Sequence, residues 1–331
     1  MTKYNNMKIN HISVLALNEL RGVGPKKLMA LVGHMLENDI SIQSWEDLHE
    51  FLLEYAPSSV KVSEEIAEEA FRKARRIIQE SERLGIGILT YFDEDYPEIL
   101  RHTTGEDGKL DPPIILYYKG NLGALKKPGI AIIGTRNPSV EALTSGETLS
   151  GEIASLGYNI VSGLAIGCDS LAHKGALQSH GTTTAFLAHG LDTIYPMENT
   201  HLAMMIEKNG GLLLSEYPVG TRCNAYRLVA RDRLQAGLAK ATVVIQTGVK
   251  GGTMHAVKST LAAGKPLLAM RFEDHVMRQP NVSGNPYLIS KGAIPLNRTT
   301  DLKSLFGRIA PVTSVENRSE EPKNEQLSLF D

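Results

Sequence analysis

Cysteine is nearly absent. Cys168 and Cys223 are the only two in 331 residues, too few for a disulfide framework, and no cysteine/histidine cluster has metal-ligand spacing. A reducing compartment is expected, with no metal site. An excess of one charge is lacking too: 35 Lys+Arg against 37 Asp+Glu leave a formal net charge of −2. Overall electrostatics therefore gives no argument for nucleic acid, and any DNA contact must be a local patch. No window approaches the roughly 18 uncharged apolar residues of a membrane span, and the opening MTKYNNMKINHISVLALNEL lacks the apolar stretch of a signal peptide. These absences point to a soluble cytoplasmic protein without membrane contact. There is no internal repeat.

The composition that remains, 42% hydrophobic and 22% charged, is that of an ordinary globular chain long enough for one large domain, a smaller companion and a tail. Apolar residues three and four apart (Leu15, Leu17, Leu20; Leu28, Leu31, Val32; Ile66, Ala70, Ala74, Ile77) predict a small helical domain over residues 1–85. Within it, Gly22-Val23-Gly24-Pro25-Lys26-Lys27 resembles a helix-hairpin-helix turn of the SAM-like kind. There the glycines would bring backbone N–H groups to a DNA phosphate, with Lys26 and Lys27 adding charge; a purely structural turn explains the same residues.

Residues 86–308 alternate short β-rich runs with helical stretches and glycine turns, which predicts an α/β, Rossmann-like, mostly parallel sheet with helices on both faces. The expected strands are Ile86–Thr90, Ile114–Tyr118, Ile130–Ile133, Asn159–Val161, Thr183–Leu187, Gly211–Leu214, Thr242–Ile245 and Pro266–Met270. Several are continuous apolar runs, as buried parallel strands are. Residues 309–331 are polar and acidic and are expected to form a disordered tail.

Two glycine turns follow strands. Gly134-Thr135-Arg136 after Ile133 offers backbone N–H groups and a guanidinium fork for a phosphate, without being a G-x-G-x-x-G or Walker A sequence. Ser162, Gly163 and Gly167 form a second small-residue cradle at the end of the next strand, where ligands of open α/β sheets sit. Asp169 and His173, four apart, share one side of a helix; local capping explains them better than acid/base chemistry. Arg222, Arg227, Arg231 and Arg233 lie in a stretch whose only acid is Asp232, and Tyr217 and Tyr226 offer stacking surfaces. No catalytic residue and no cofactor is assigned. Backbone contacts and stacking predict little sequence preference.

These motifs, in order, resemble the DprA/Smf family. The resemblance runs from Asp95-Tyr96-Pro97 and Asp111-Pro112-Pro113 through Gly134-Thr135-Arg136 and Ser162-Gly163-Leu164-Ala165 to Asp169, Ala172-His173 and Ala176-Leu177. It continues through Gly190-Leu191-Asp192, Tyr195-Pro196 and Ser215-Glu216-Tyr217-Pro218 to Arg231-Asp232-Arg233-Leu234, and spans roughly residues 90–295. It implies a single-stranded-DNA-binding protein, a homodimer, that protects the strand and hands it to the RecA recombinase in processes such as natural transformation. The chain departs from the family pattern at Asp232, where Asn is usual, at Gln246-Thr247 and Gly251-Gly252-Thr253-Met254-His255-Ala256, and at Arg271–Asp274. The family's winged-helix domain is not expected here. The alternatives are a nucleotide-binding sensor, or a nucleotide hydrolase of the related phosphoribohydrolases; the latter need a glutamate after their glycine turn, where this chain has none. Lastly, Gln326-Leu327-Ser328-Leu329-Phe330 resembles a bacterial sliding-clamp-binding peptide, in which Gln326 hydrogen-bonds and Leu327, Leu329 and Phe330 fill an apolar pocket.

Overall fold

The computed structural model describes residues 10–310. The chain opens with four helices: α1 (His11–Glu19), α2 (Pro25–Glu37), α3 (Trp45–Tyr55) and α4 (Glu64–Arg83). Their starts follow capping chemistry. Asn10 and Ser63 accept from the first-turn N–H groups of Ile12 and Ile66, and Ser44 and Asp47 form a reciprocal capping box at α3. Pro25 takes the first position of α2, where its missing N–H costs nothing.

There follow β1 (Gly87–Thr90), α5 (Glu98–Arg101), β2 (Ile115–Gly120), β3 (Gly129–Ile133), α6 (Val140–Ser155), β4 (Asn159–Ser162), α7 (Cys168–Gln178), β5 (Thr182–Leu187) and α8 (Thr200–Lys208). The rest are β6 (Leu212–Ser215), α9 (Ala225–Leu238), β7 (Ala239–Val244), α10 (Thr253–Ala262), β8 (Leu267–Met270), α11 (Asp274–Met277), α12 (Gly284–Ser290), β9 (Ile294–Leu296) and α13 (Leu302–Ile309). The nine strands of the described residues share one sheet in the order β1-β2-β6-β5-β4-β3-β7-β8-β9. The pairs β1/β2 and β2/β6 are antiparallel and the other six are parallel.

Successive residues feed opposite faces. Ile130, Ile132, Ile160 and Val243 pack with α6, α7 and α13 on one side, while Val161, Phe186 and Leu214 meet α9, and Val244 and Leu267 meet α10 and α12, on the other. The helical bundle shares a hydrophobic cluster with the sheet through Ile115, Tyr117, Leu187 and Leu213.

Each expected strand exists, and β9 is an addition. β7 begins at Ala239, directly after α9, three residues before the expected start. The ordered chain also extends past residue 308: Ala310 is fully buried, and its carbonyl accepts from Tyr158 Oη at 3.0 Å. The rest of the expected tail lies outside the described residues.

The chain lays down β3, β4, β5 and β6 outward on one side, then crosses back to place β7 on the other side of β3. The point where strand order reverses therefore lies between β3 and β7, and the loops leaving their C-terminal ends part to form a crevice.

Candidate nucleic-acid interface

A cleft of about 500 Å³ opens at this switch point, lined by residues from the loops after β3, β4 and β7 and by one side of α9. The loops are tied to one another. Thr135 N donates to Gln246 O at 2.7 Å, Ser139 N donates to Gln246 Oε1 at 2.8 Å, and Cys168 N donates to Thr135 O at 3.1 Å. A Cβ on Gly134 would lie 2.6 Å from Cys168 Sγ and 2.8 Å from Gln246 O. This glycine thus serves the close approach of three loops.

The cradle after β4 is held from within. Ser162 Oγ donates to Ile132 O at 2.6 Å and is fully buried, so it is spent inside the protein and not on a ligand. Asp169 accepts from Gly163 N at 3.1 Å and Ala165 N at 3.3 Å, as a cap does. Burial raises its pKa, and Arg231 opposes that rise. His173 points the other way, with Nδ1 2.7 Å from Thr183 Oγ1. Burial, then the charge of Arg231, pushes its pKa down to about 3, which keeps the imidazole neutral. Asp169 and His173 are therefore no acid/base pair.

The four arginines divide. Arg231 is 4% exposed; its Nη1 donates to Gly163 O at 2.6 Å and Phe186 O at 2.5 Å, and its Nε donates to Asp232 Oδ1 at 3.1 Å. It plugs the C-terminal ends of β4 and β5. The guanidinium fills the space that a Cβ on Gly163 would need, so that glycine makes room for Arg231 rather than for a ligand. Arg233 grips Glu216 through both oxygens at 2.7 and 2.8 Å and reaches Asp111 Oδ2 at 2.5 Å. Both arginines, expected on phosphates, are consumed by protein acceptors because α9 packs them against the sheet.

Arg222 and Arg136 are exposed, while Arg227 is half-buried, 5.1 Å over the Tyr217 ring, with Nη1 donating to Arg222 O at 2.7 Å. Tyr226 stands 79% exposed. Arg136 and Lys250 line the cleft, as do Gly134 and Thr135. Gly167 adopts φ +82° and packs on the backbone of Thr135. Lys250 carries no sequence signal of its own, although it sits in the glycine turn after β7. The hairpin turn lies apart from the cleft: Lys26 is exposed beside a separate hollow of about 680 Å³ shared with Leu110 and Asp111. Lys27 Nζ instead donates to Gly22 O at 2.7 Å and Ser59 Oγ at 2.8 Å, closing the turn. The clamp-like peptide, Gln326, Leu327, Leu329 and Phe330, lies outside the described residues.

The sheet order and the cation-rimmed cleft at its switch point define a Rossmann-like α/β protein built to receive a ligand at its C-terminal strand edge. The chain belongs to the DNA recombination-mediator protein A family, whose model matches residues 87–307. It is 32% identical to Protein Smf of Synechocystis over 301 residues, which cover 85% of this chain and 73% of that one. It superposes on DNA processing protein A of Streptococcus pneumoniae with a TM-score of 0.71 at 26% identity, over 90% of this chain and 98% of that one. A second superposition, with a TM-score of 0.58 at 29% identity over 67% of this chain and 95% of the other, is on the Helicobacter pylori protein described for its single-stranded DNA binding mode.

Proposed function

We propose that the protein binds single-stranded DNA across the cleft and acts as a recombination mediator, without catalysis of its own. One observation carries the reading: Arg136 and Lys250 line the cleft, are exposed, and carry no protein hydrogen bond from their side chains among the described residues, while Arg222 and Tyr226 stand exposed at the α9 end of the chain that lines it. Free cations beside a bare aromatic ring suit a flexible strand whose phosphates and bases can both be reached. In this reading Gly134 and Thr135 offer backbone, Arg136, Arg222, Arg227 and Lys250 hold phosphates, and Arg231, Arg233, Ser162, Gly163 and Gly167 shape the cleft. Lys26, on the exposed N-terminus of α2, gives the strand a second contact. A homodimer, delivery to RecA and anchoring on the sliding clamp through Gln326 to Phe330 belong to the same cytoplasmic role.

The test is fluorescence anisotropy with a labelled oligo-dT and the matching duplex at several salt concentrations. Single strands should bind more tightly. Exchanging Arg136 and Lys250 for Ala together should weaken binding and flatten the salt slope by about 1.4, at about 0.7 for each phosphate that is no longer neutralised. An unchanged slope would reduce both cations to solvated surface. The rival reading, a free-nucleotide sensor using the same loops, requires tighter binding of mononucleotides than of oligo-dT.

A further inference from the structure

Phosphate binding does not account for the floor of the cleft. Asp232 and Gln235, one helical turn apart on α9, both line it. Gln235 Nε2 donates to Asp232 Oδ1 at 3.0 Å, and Arg231 Nε donates to the same oxygen at 3.1 Å. Both bonds fall on Oδ1 and leave Oδ2 for another donor. Gln235 is 2% exposed, and its Oε1 is buried with no hydrogen-bond partner. The carboxylate repels phosphate, and two neighbouring side chains with acceptor capacity left over suit a group that presents two adjacent donors.

We propose that the cleft floor is a base-reading subsite for guanine, whose N1–H donates to Asp232 and whose 2-amino group donates to Gln235, while the neighbouring phosphates lie on Arg136 and Lys250. Of the four DNA bases, guanine alone carries a ring N–H next to an amine on its pairing edge. Thymine has one N–H flanked by carbonyls, and adenine and cytosine pair an amine with an acceptor nitrogen. A turn of the Gln235 amide about its last side-chain bond releases Asp232 Oδ1 and brings Oε1 round in place of Nε2, so that the base supplies the donor Asp232 gives up and separates the two acceptors. The inference rests on the single-stranded-DNA reading and adds one position of base preference to otherwise sequence-tolerant binding.

Anisotropy on the full chain tests it with oligo-dT carrying at its centre one deoxyguanosine, one deoxyinosine or one deoxyadenosine. The guanine strand should bind about tenfold more tightly than plain oligo-dT. Inosine, which keeps N1–H and lacks the amine, should retain only part of that gain, and adenine none. D232N should abolish the gain while raising affinity for oligo-dT, because a negative charge has left a phosphate-binding cleft. The guanine-to-inosine comparison uses the parent protein and is independent of how any variant folds. Equal affinity for the dT, guanine and inosine strands overturns the base subsite and leaves DNA binding standing, whereas failure of every strand to bind overturns the reading beneath it. If free dGMP binds in an Asp232-dependent way and the guanine strand shows no gain, the subsite serves a free nucleotide and its assignment to DNA is overturned.

Discussion

Removing Arg231 and removing Arg136 should have opposite consequences, although both line one cleft. R231A strands the Asp232 carboxylate and two strand-end carbonyls and removes the charge that offsets the burial of Asp169, and should cost about 3–5 kcal/mol, read as a lowered urea midpoint. R136A should leave stability within about 0.5 kcal/mol while weakening single-stranded-DNA binding. A bulkier residue at Gly163 should behave like R231A, because its Cβ displaces the guanidinium. A Gly163 variant that keeps its melting temperature yet loses DNA binding would show that the glycine serves the ligand. Asp232 adds a pH dependence. Burial pushes its pKa up to about 6 against the pull of Arg231, and the charge of Asp169 adds to the push; Gln235 and, from α10, His255 also face it. A carboxyl whose folded value lies above its ordinary one is favoured by the fold as the neutral acid, so its ionisation removes stability as pH climbs from about 4 to above 6. D232N should therefore be more stable than the parent at pH 8 by on the order of 1–3 kcal/mol, the gap closing below about pH 4 in urea titrations.

At the scale of elements, the loops after β3 and β7 are joined by one side chain. Gln246 accepts from Ser139 N at the start of α6, and its Nε2 donates to Asn281 O at 3.2 Å. Q246A should cost about 1 kcal/mol in urea unfolding and loosen the Gly134–Arg136 turn, so that DNA affinity falls more than stability alone explains. An affinity equal to the parent's would mean that the turn holds its shape without the amide. The buried strands were legible because they are continuous apolar runs between glycine turns. β9 was not: Ile294-Pro295-Leu296 is three residues long with a proline, which suits only a sheet edge. β7 began earlier than expected because Ala239 and Lys240 carry little strand preference. Gly134 and Arg136 could be read as a cleft turn from their place after a strand, and the structure puts them there. The burial of Arg231 and Arg233 was hidden because a run of arginines reads as surface. A signal was present: Arg231, Leu234, Gln235 and Leu238 fall at helical spacing on one stripe, and all four are buried. The orphaned Gln235 Oε1 had no sequence signature, since it depends on which partners the packed helix leaves out.

For the whole molecule, recognition and attachment should be separable. Deleting residues 326–331, or exchanging Leu329 and Phe330 for Ala, should eliminate sliding-clamp binding in calorimetry while oligo-dT affinity stays unchanged. A peptide of the last dozen residues should bind the clamp by itself in the micromolar range, about 8 kcal/mol. Loss of thermal stability on truncation would show instead that the segment packs on its own protein. The helical bundle, by contrast, shares apolar surface with the sheet through Ile115 and Leu213, so its removal should expose part of the core rather than release an independent module.

The plug that Arg231 forms between α9 and the ends of β4 and β5 also has a consequence in time. Its Nη1 and Nε protons are held by two buried carbonyls and a carboxylate, and they exchange freely only when those bonds to the sheet ends and to Asp232 open. Their exchange rate is thus a measure of how often the cleft's wall opens, and a ligand that bridges α9 to the loops after β3 and β7 slows it.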